Sequence, residues 1–357
     1  DITKRPNPRF VIDLFGLSES EARKEFPSLM QYVMDYVRPE RLQNRDRTFL
    51  EKWWLFGRPR PELRSANRGL KRYIVTSEVA KHRVFVLVDW PETLIDGSVI
   101  GVASADAYVL GVMSSRSHVL WALEAGGRLE DRPRYQNGPC FDPFPFPDAS
   151  NAHREHIRSL GESLDAHRKR QQVAHPELTI TDMYNVLEKL RSGEALTAKQ
   201  KIVHEQGLVS VLKQIHDDLD AAVAEAYGWP VDLRDEEILQ RLVALNAERA
   251  EEERRGLVRW LRPEFQNPGG ASATQGRLGL PEAQTLAKAK PGKKTPWPKT
   301  MAEQARVVRA TLQARGQPVT SEDLAKSFSG KKADKIAELL ETLTALGQAR
   351  AASPGRY

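Results

Sequence analysis

The sequence has a single cysteine, Cys140, among 357 residues, and no apolar run approaches the roughly 18 to 20 residues of a membrane-spanning helix. One cysteine excludes a disulfide scaffold and any structural zinc cluster built on several cysteines. The N-terminus has neither an initiator Met nor the apolar region of a signal peptide. We therefore expect a cytoplasmic protein with no membrane partner, and we expect this chain to be a piece of a longer one.

Motifs that carry chemistry are also scarce. Gly101 and Gly111 are isolated, without the G-x-G spacing of a nucleotide-binding turn between a strand and a helix. The eight histidines form no ligand pair on one helical face, and His153 and His156 lie three residues apart in a polar stretch. The sequence predicts no catalytic residue, no metal site and no cofactor-binding site in this chain.

Charge is unevenly distributed along the chain. The net charge is +6, but residues 1–150 carry +2 and residues 151–267 carry −4. Within the first part, residues 38–83 hold 13 basic and 5 acidic side chains. Such a patch can neutralise phosphates and release their counterions, although a solvated surface gives the same count in many proteins. Charge alone favours a nucleic-acid partner without establishing one.

Local patterns predict an α+β protein, with 40% hydrophobic residues available for two or three modest domains. Strand-like runs at Arg9–Asp13, Tyr73–Thr76 and Val84–Val88 predict mixed α/β structure before residue 150. Residues 150–267 predict an α-helical hairpin or spacer region, beginning at a cap at Ser150 or Asn151. Thr197 and Gln200 form a capping-box pattern ahead of a long periodic segment. Its apolar stripe comprises Leu208, Leu212, Ile215, Leu219, Ala222 and Ala226.

The composition changes again near the C-terminus. Residues 268–299 are rich in Gly, Ala, Pro, Thr and Lys, which predicts a flexible linker. Residues 300–357 predict a small helix-turn-helix or winged-helix-like domain, in which Lys331, Lys332 and Lys335 would begin the recognition helix. Small three-helix domains also serve as protein docking units, so the role of this domain stays open.

Several longer sequence segments stand out in the first 150 residues, and their order is more specific than any one of them. They are Trp53–Arg60, Arg72–His82, Leu110–His118, Gly127–Tyr135 and Phe141–Pro147. In this order they resemble the target-recognition region of MmeI-like adenine-specific DNA methyltransferases, the type IIL and related type IIG restriction-modification enzymes. The stretches Asp182–Asn185, His204–Leu208 and Leu261–Pro268 look like the helical segment that follows in one branch of that family. The resemblance covers about residues 1–268.

The resemblance implies that catalysis and DNA recognition lie in different parts of the enzyme. In this family the S-adenosylmethionine turn and the catalytic motif precede the recognition region, so S-adenosylmethionine would be bound by a missing upstream domain and not by this chain. Residues 1–37 would then be the end of the methyltransferase core and a connector, and residues 38–149 the DNA target-recognition domain. The implied partners are double-stranded DNA and the upstream methyltransferase domain in cis, or a separate subunit in trans. The setting would be restriction-modification or phage defence.

Two sets of side chains follow as expectations for DNA contact. Basic residues of the 38–83 patch would bind the phosphate backbone without reading sequence: Arg58, Arg60, Arg64, Arg68, Lys71 and Arg72. Base reading needs forked or two-ended side chains. The segments that resemble the family contain these candidates: Glu78, Lys81, His82, Arg116, Arg128, Glu130, Arg132 and Arg134. Surface pairing of Glu130 and Asp131 with nearby arginines is the alternative.

Two rival functions remain open at this point. The first is a free-standing DNA-binding specificity subunit that works with a separately encoded methyltransferase. The second is a helical protein-interaction scaffold without catalysis, which predicts no salt-dependent affinity for DNA.

Overall fold

The computed structural model describes Ile2, residues 9–129 and 132–268, and shorter stretches at 295–297, 304, 307–308, 311, 319–329 and 333–345. The chain divides into two compact units, Asp1–Thr274 and Gln275–Tyr357. The first unit holds almost all of the described residues.

The first unit begins with five short helices. Ser18 caps the first of them with a complete capping box, in which Glu21 bonds back to the backbone of Ser18. A small apolar core of Leu14, Met30 and Trp53 joins these helices. Their bounds are α1 Glu19–Glu25, α2 Pro27–Tyr36, α3 Arg38–Arg41, α4 Arg47–Glu51 and α5 Pro61–Ala66.

A three-stranded antiparallel sheet follows, with strand order β2-β1-β3. Its strands are β1 Arg72–Ser77, β2 Val86–Asp89 and β3 Val99–Val102. The predicted strands at 73–76 and 84–88 are confirmed in position, although β2 starts only at Val86. The predicted strand Arg9–Asp13 is wrong, because these residues pair with no strand and the Phe10 side chain is 99% exposed. An apolar run forms a strand only when it can pair with the edge of a sheet, and residues 9–13 have no such partner.

Two helices and a hairpin complete the mixed region. They are α6 Ala107–Ser114, α7 Arg116–Ala125, β4 Gly127–Leu129 and β5 Arg132–Arg134, followed by a π-helical turn Asn137–Phe141. Every residue of α6 is buried, because a long helix lies against it. The two backbones approach so closely that a Cβ on Gly161 would lie 2.3 Å from the carbonyl oxygen of Ala107. Glycine is therefore required at this helix crossing.

The helical region consists of α8 Asn151–Ala174, α9 Ile180–Ser192, α10 Ala198–Gln206, α11 Val209–Tyr227, α12 Asp235–Arg254 and α13 Pro263–Gln266. The predicted caps at Ser150 and Thr197 are confirmed. The capping box heads only the short α10, because the chain breaks at Gly207 and Leu208 before α11 begins. Leu208 has a left-handed φ of 42° and is 48% exposed, so its place in the predicted apolar stripe is wrong.

One apolar core runs through the sheet and the helical region. It includes Tyr73 and Phe85 from the sheet region, Leu110 from α6, and Leu164 and Leu219 from α8 and α11. Residue 150 therefore marks a change of secondary structure within a continuous core. This continuity fixes the sheet and its hairpin on a helical support.

The second unit contains a short parallel pairing of β6 Thr295–Pro296 with β7 Phe328–Ser329. Helices at Ser321–Ala325 and Ala333–Ala345 pack around Leu324, Phe328 and Ile336. Thr320 caps the first of these helices. Most of the predicted linker 268–299, together with Lys331 and Lys332, lies outside the described residues. Lys335 pairs with Glu338 at 3.3 Å.

Candidate nucleic-acid interface

The hairpin of β4 and β5 carries exposed basic side chains. In its register Arg128 lies opposite Pro133, and Leu129 lies opposite Arg132. Arg128 and Arg132 are both exposed, and Arg128 makes no side-chain hydrogen bond or ion pair with the described residues. The tip at residues 130 and 131, and with it the predicted base-reading residue Glu130, lies outside them. The hairpin arms therefore present guanidinium groups to solvent.

Backbone bonds tie the hairpin to the segment that follows β1. The Tyr135 N–H donates to the Glu78 carbonyl at 2.7 Å, and the Ala80 N–H donates to the Pro133 carbonyl at 3.3 Å. The Glu78 carboxylate also pairs with the Arg134 guanidinium at 2.6 Å. Two predicted base-reading residues are thus bonded to each other at the base of the hairpin.

A buried arginine, Arg83, holds this base together. Its guanidinium donates to the Thr76 hydroxyl at 3.1 Å, to the Ser77 carbonyl and to the Pro133 carbonyl at 3.2 Å, and it lies over the Tyr135 ring. Burial lowers the pKa of Arg83 to about 10, so the side chain stays charged at neutral pH. Sequence reasoning missed this residue, although its position just before a buried strand was a signal.

Two uncharged side chains lie beneath Arg83. The Nε2 atom of His118 is 3.0 Å from the Tyr135 hydroxyl. Burial lowers the pKa of His118 to about 3 and raises the pKa of Tyr135. Neither group ionises near neutral pH, so the support under the hairpin does not change charge there.

Three of the six predicted phosphate-binding residues are bonded within the protein. Arg60 donates to the carbonyls of Asp96 and Val99, at 2.7 Å and 3.2 Å. Arg64 pairs with Asp13 at 2.8 Å, and Arg72 pairs with Glu162 of α8. The Glu162 carboxylate raises the pKa of Arg72, and Arg72 lowers that of Glu162. These guanidinium groups hold loops and helices in place.

The other three, Arg58, Arg68 and Lys71, are exposed and have no hydrogen bond or ion pair with any described side chain. Arg45 and Lys52 are also exposed and have no hydrogen bond or ion pair with any described side chain, but they were not among the predicted residues. Such cations are available to phosphates, because no carboxylate among the described residues pairs with them.

The hairpin and the free cation Lys71 lie at opposite ends of β1. Lys71 directly precedes the strand, whereas Glu78, which is bonded to the hairpin, directly follows it. Seven residues at the ~3.3 Å rise of a strand separate them by roughly 20 Å. This span is shorter than the ~34 Å of one DNA turn, so one duplex can contact both places.

The remaining predicted base-reading residues bond to the helical region. The Lys81 ammonium donates to Asn185 at 2.8 Å and lies 3.1 Å from Glu188, and the His82 Nε2 is 2.9 Å from the same Asn185 oxygen. Burial lowers the pKa of His82, against the opposing effect of the Asn185 hydrogen bond. These contacts fix the loop after β1 on α9.

Arg116 lies at the start of α7 and bonds to two later helices. Its guanidinium pairs with Asp235 and donates to the Leu233 carbonyl at 2.9 Å. Its backbone N–H donates to the Asp220 carboxylate at 2.7 Å. Burial raises the pKa of Asp220 to about 6.

An apolar cavity of about 290 Å³ lies between α5 and the loop before β3. Phe56, Leu63 and Trp90 line it, and Arg58 and Arg60 stand at its edge. The described residues contain no group of three or more His, Cys, Asp or Glu side chains arranged to hold a metal. Across the same residues, every helix is too short or too polar to cross a lipid bilayer.

Exposed cations can bind phosphates, and a two-stranded ribbon can enter a DNA major groove. Residues 6–148 match the family described as "MmeI, target recognition domain". This part of the chain is similar to the MmeI target recognition domain.

Two individual proteins are similar to parts of the chain. "DNA methyltransferase A" of Bacillus subtilis (strain 168) is 27% identical over 161 residues, which is 45% of this chain and 16% of that protein. The solved structure of the type IIL restriction-modification enzyme MmeI in complex with DNA is 19% identical, with a TM-score of 0.47. It covers 66% of this chain and 28% of its own. The chain thus spans a minor part of the length of both.

Proposed function

We propose that this chain recognises a DNA sequence on behalf of an adenine-specific, S-adenosylmethionine-dependent DNA methyltransferase of a restriction-modification or phage-defence system. The observation that carries the proposal is the match of residues 6–148 to the MmeI target recognition domain. The DNA methyltransferase relative and the DNA complex of MmeI support the same assignment. The catalytic domain would lie upstream in cis, and the protein would work in the cytoplasm.

In this proposal the duplex is held by phosphate contacts. Arg58, Arg68 and Lys71 would make them, because each is exposed and has no carboxylate partner in the described part of the chain. Phosphate contacts fix the register of a protein on DNA but carry no base information. Arg60, Arg64 and Arg72 would act indirectly, since their guanidinium groups bond to the protein.

Base reading is assigned to the hairpin. A two-stranded ribbon fits the major groove, where arginine forks pair with guanine and carboxylates accept from cytosine. Arg128, Arg132 and the paired Glu78 and Arg134 carry these groups, and Glu130 keeps its predicted reading role. Lys81, His82 and Arg116 would help to position the base-reading hairpin, because they bond to the helical region.

The chain itself does not fit S-adenosylmethionine. The segment after β1 bonds to the hairpin, where a cofactor site would need a glycine-rich turn that opens a helix. We therefore assign the cofactor and the methyl transfer to the upstream domain. Calorimetry of the 357-residue chain with S-adenosylmethionine should give no binding, and micromolar binding would contradict this assignment.

The domain organisation is proposed as before: residues 38–149 as the target-recognition domain, 150–267 as its helical support, and 300–357 as a winged-helix-like unit. The short parallel pairing of Thr295–Pro296 with Phe328–Ser329 beside two helices supports the last assignment.

The central test is selection from a library of randomised duplexes with the full chain. We expect one sequence motif to be enriched, and affinity for it to fall steeply as salt is raised. A library that returns no motif would contradict the proposal, and salt-independent binding would favour the protein-interaction scaffold. Methylome sequencing of cells that express the longer enzyme should then find methyladenine in the same motif.

A further inference from the structure

Leu129 is an apolar side chain that is more than half exposed. It ends β4 and is 54% exposed, with Arg132 directly opposite it on β5. Side chains on a strand alternate between faces, so Leu129 shares its face with Arg132 and Arg134. Gly127, two residues earlier on the same face, adds no side chain. Val79, bridged opposite Arg134, lies on the same face, and among the described residues Leu129 is the apolar group next to Arg132.

This composition points to the kind of molecule that covers the face. A guanidinium group has five N–H donors, so Arg134 keeps exposed donors beside its partner Glu78, and an apolar protein surface would desolvate such donors at a cost in free energy. A DNA major groove offers acceptor atoms on guanine to the guanidinium groups. It also offers one apolar group, the C5-methyl of thymine. Charge and apolar surface on this face are thus both complementary to DNA.

We propose that Leu129 determines specificity by packing against the C5-methyl group of a thymine, next to a base read by Arg132. The inference rests on the proposed function, because it needs the hairpin to enter the major groove. The hairpin is already held in place by Arg83 and by the backbone bonds of Glu78, so little ordering is needed when it binds. The contact selects thymine over cytosine without any hydrogen bond.

The test removes the methyl group from the DNA and leaves its hydrogen-bonding edge unchanged. Duplexes carrying the selected motif are prepared with deoxyuridine in place of thymidine at each position in turn. For the wild-type chain we expect one position where the change weakens binding roughly fourfold, the effect of one lost methyl contact. The other positions should change little.

Variants then assign the effect to the side chain. Leu129→Ala should bind the thymine and uracil duplexes equally, whereas Leu129→Met, which keeps an apolar side chain, should retain most of the difference. Val243→Ala is the matched control, because Val243 is 59% exposed on α12 and lies outside the recognition region. It should behave as wild type.

The outcomes separate this inference from the proposed function. Failure to select any motif would overturn both. A selected motif without a uracil-sensitive position would overturn the role of Leu129 and leave DNA reading intact. The same follows if Leu129→Ala keeps the full preference for thymine over uracil. The deoxyuridine series uses the wild-type chain, so this result does not depend on how any variant folds.

Discussion

The helical region and the recognition region use their charges differently. In the helical region many cations lie within 4 Å of carboxylates, as in the pairs Arg158–Asp106, Lys169–Asp165, Lys213–Asp217, Arg234–Glu237 and Arg255–Glu251. In the recognition region Arg58, Arg68, Lys71 and Arg128 have no such neighbour among the described residues. The helical region also has described, exposed cations without such a neighbour, among them Arg170, Lys199 and Lys201, but its net charge over residues 151–267 is −4. Residues 38–83 instead hold 13 basic and 5 acidic side chains, and such an excess of cations is what attracts a phosphate backbone.

The largest expected effect, on the free energy of unfolding, comes from a cation that stabilises the fold and is buried away from DNA. Arg168 of α8 is buried, donates to the Phe85 carbonyl at 2.8 Å and bonds to the Tyr184 hydroxyl. Arg168→Met removes this donor from buried acceptors, and we expect it to lower the free energy of unfolding by about 3 kcal/mol. Urea denaturation measures this.

The neighbour Arg170 provides the matched control, because it is exposed on the same helix. Arg170→Met should cost less than about 0.5 kcal/mol. Equal costs for the two variants would mean that burial does not separate structural cations from available ones.

A second, smaller effect depends on pH. Burial raises the folded-state pKa of Asp220 to about 6, above the ~3.9 of an unfolded aspartate. The folded chain therefore binds more protons than the unfolded chain between these values, and stability falls as pH rises through this window. Asp220→Asn removes the titration. Relative to the variant, the wild type should lose about 2 kcal/mol between pH 4 and pH 7.

Denaturation at several pH values checks this, with Asp218→Asn as the control on the exposed face of the same helix. A stability difference between wild type and Asp220→Asn that stays constant from pH 4 to pH 7 would contradict the assignment.

The smallest effect concerns a contact between the two regions. Lys81 bonds to Asn185 and Glu188, but its side chain is 58% exposed. Exposed ion pairs contribute little, so Lys81→Met should cost under 1 kcal/mol in thermal unfolding. A loss above about 2 kcal/mol would mean that the loop after β1 depends on this one contact.

Local features of the fold could be predicted from the sequence. The caps at Ser150 and Thr197 lie within three residues of the groups they bond, so the pattern alone reveals them. The stretch Arg9–Asp13 had the composition of a strand, but a strand also needs a partner edge, which composition does not contain. Leu208 satisfied a helical period, yet the chain turns at that residue.

The site could be predicted in outline only. The resemblance singled out the segment Gly127–Tyr135 and the charge count the basic patch, but neither predicted that this segment forms a hairpin. The internal bonds of Arg64 and Arg72 join residues 51 and 90 positions apart, and no local pattern encodes such pairing. Arg83 escaped notice for the same reason, because its partner Pro133 lies 50 residues away.

The most direct test of the account compares two triple variants in their salt-dependent binding to DNA. Arg58→Gln, Arg68→Gln and Lys71→Gln together remove the three cations assigned to phosphate contacts, and Arg45, Lys52 and Arg128 stay in place. Arg234→Gln, Arg254→Gln and Arg255→Gln remove the same charge from paired residues that are exposed, at 74%, 71% and 74%.

The slope of log affinity against log salt concentration should fall by about three units in the first triple variant and stay near the wild-type value in the second. Equal changes in the two variants would contradict the claim that the unpaired cations of the recognition region hold the duplex.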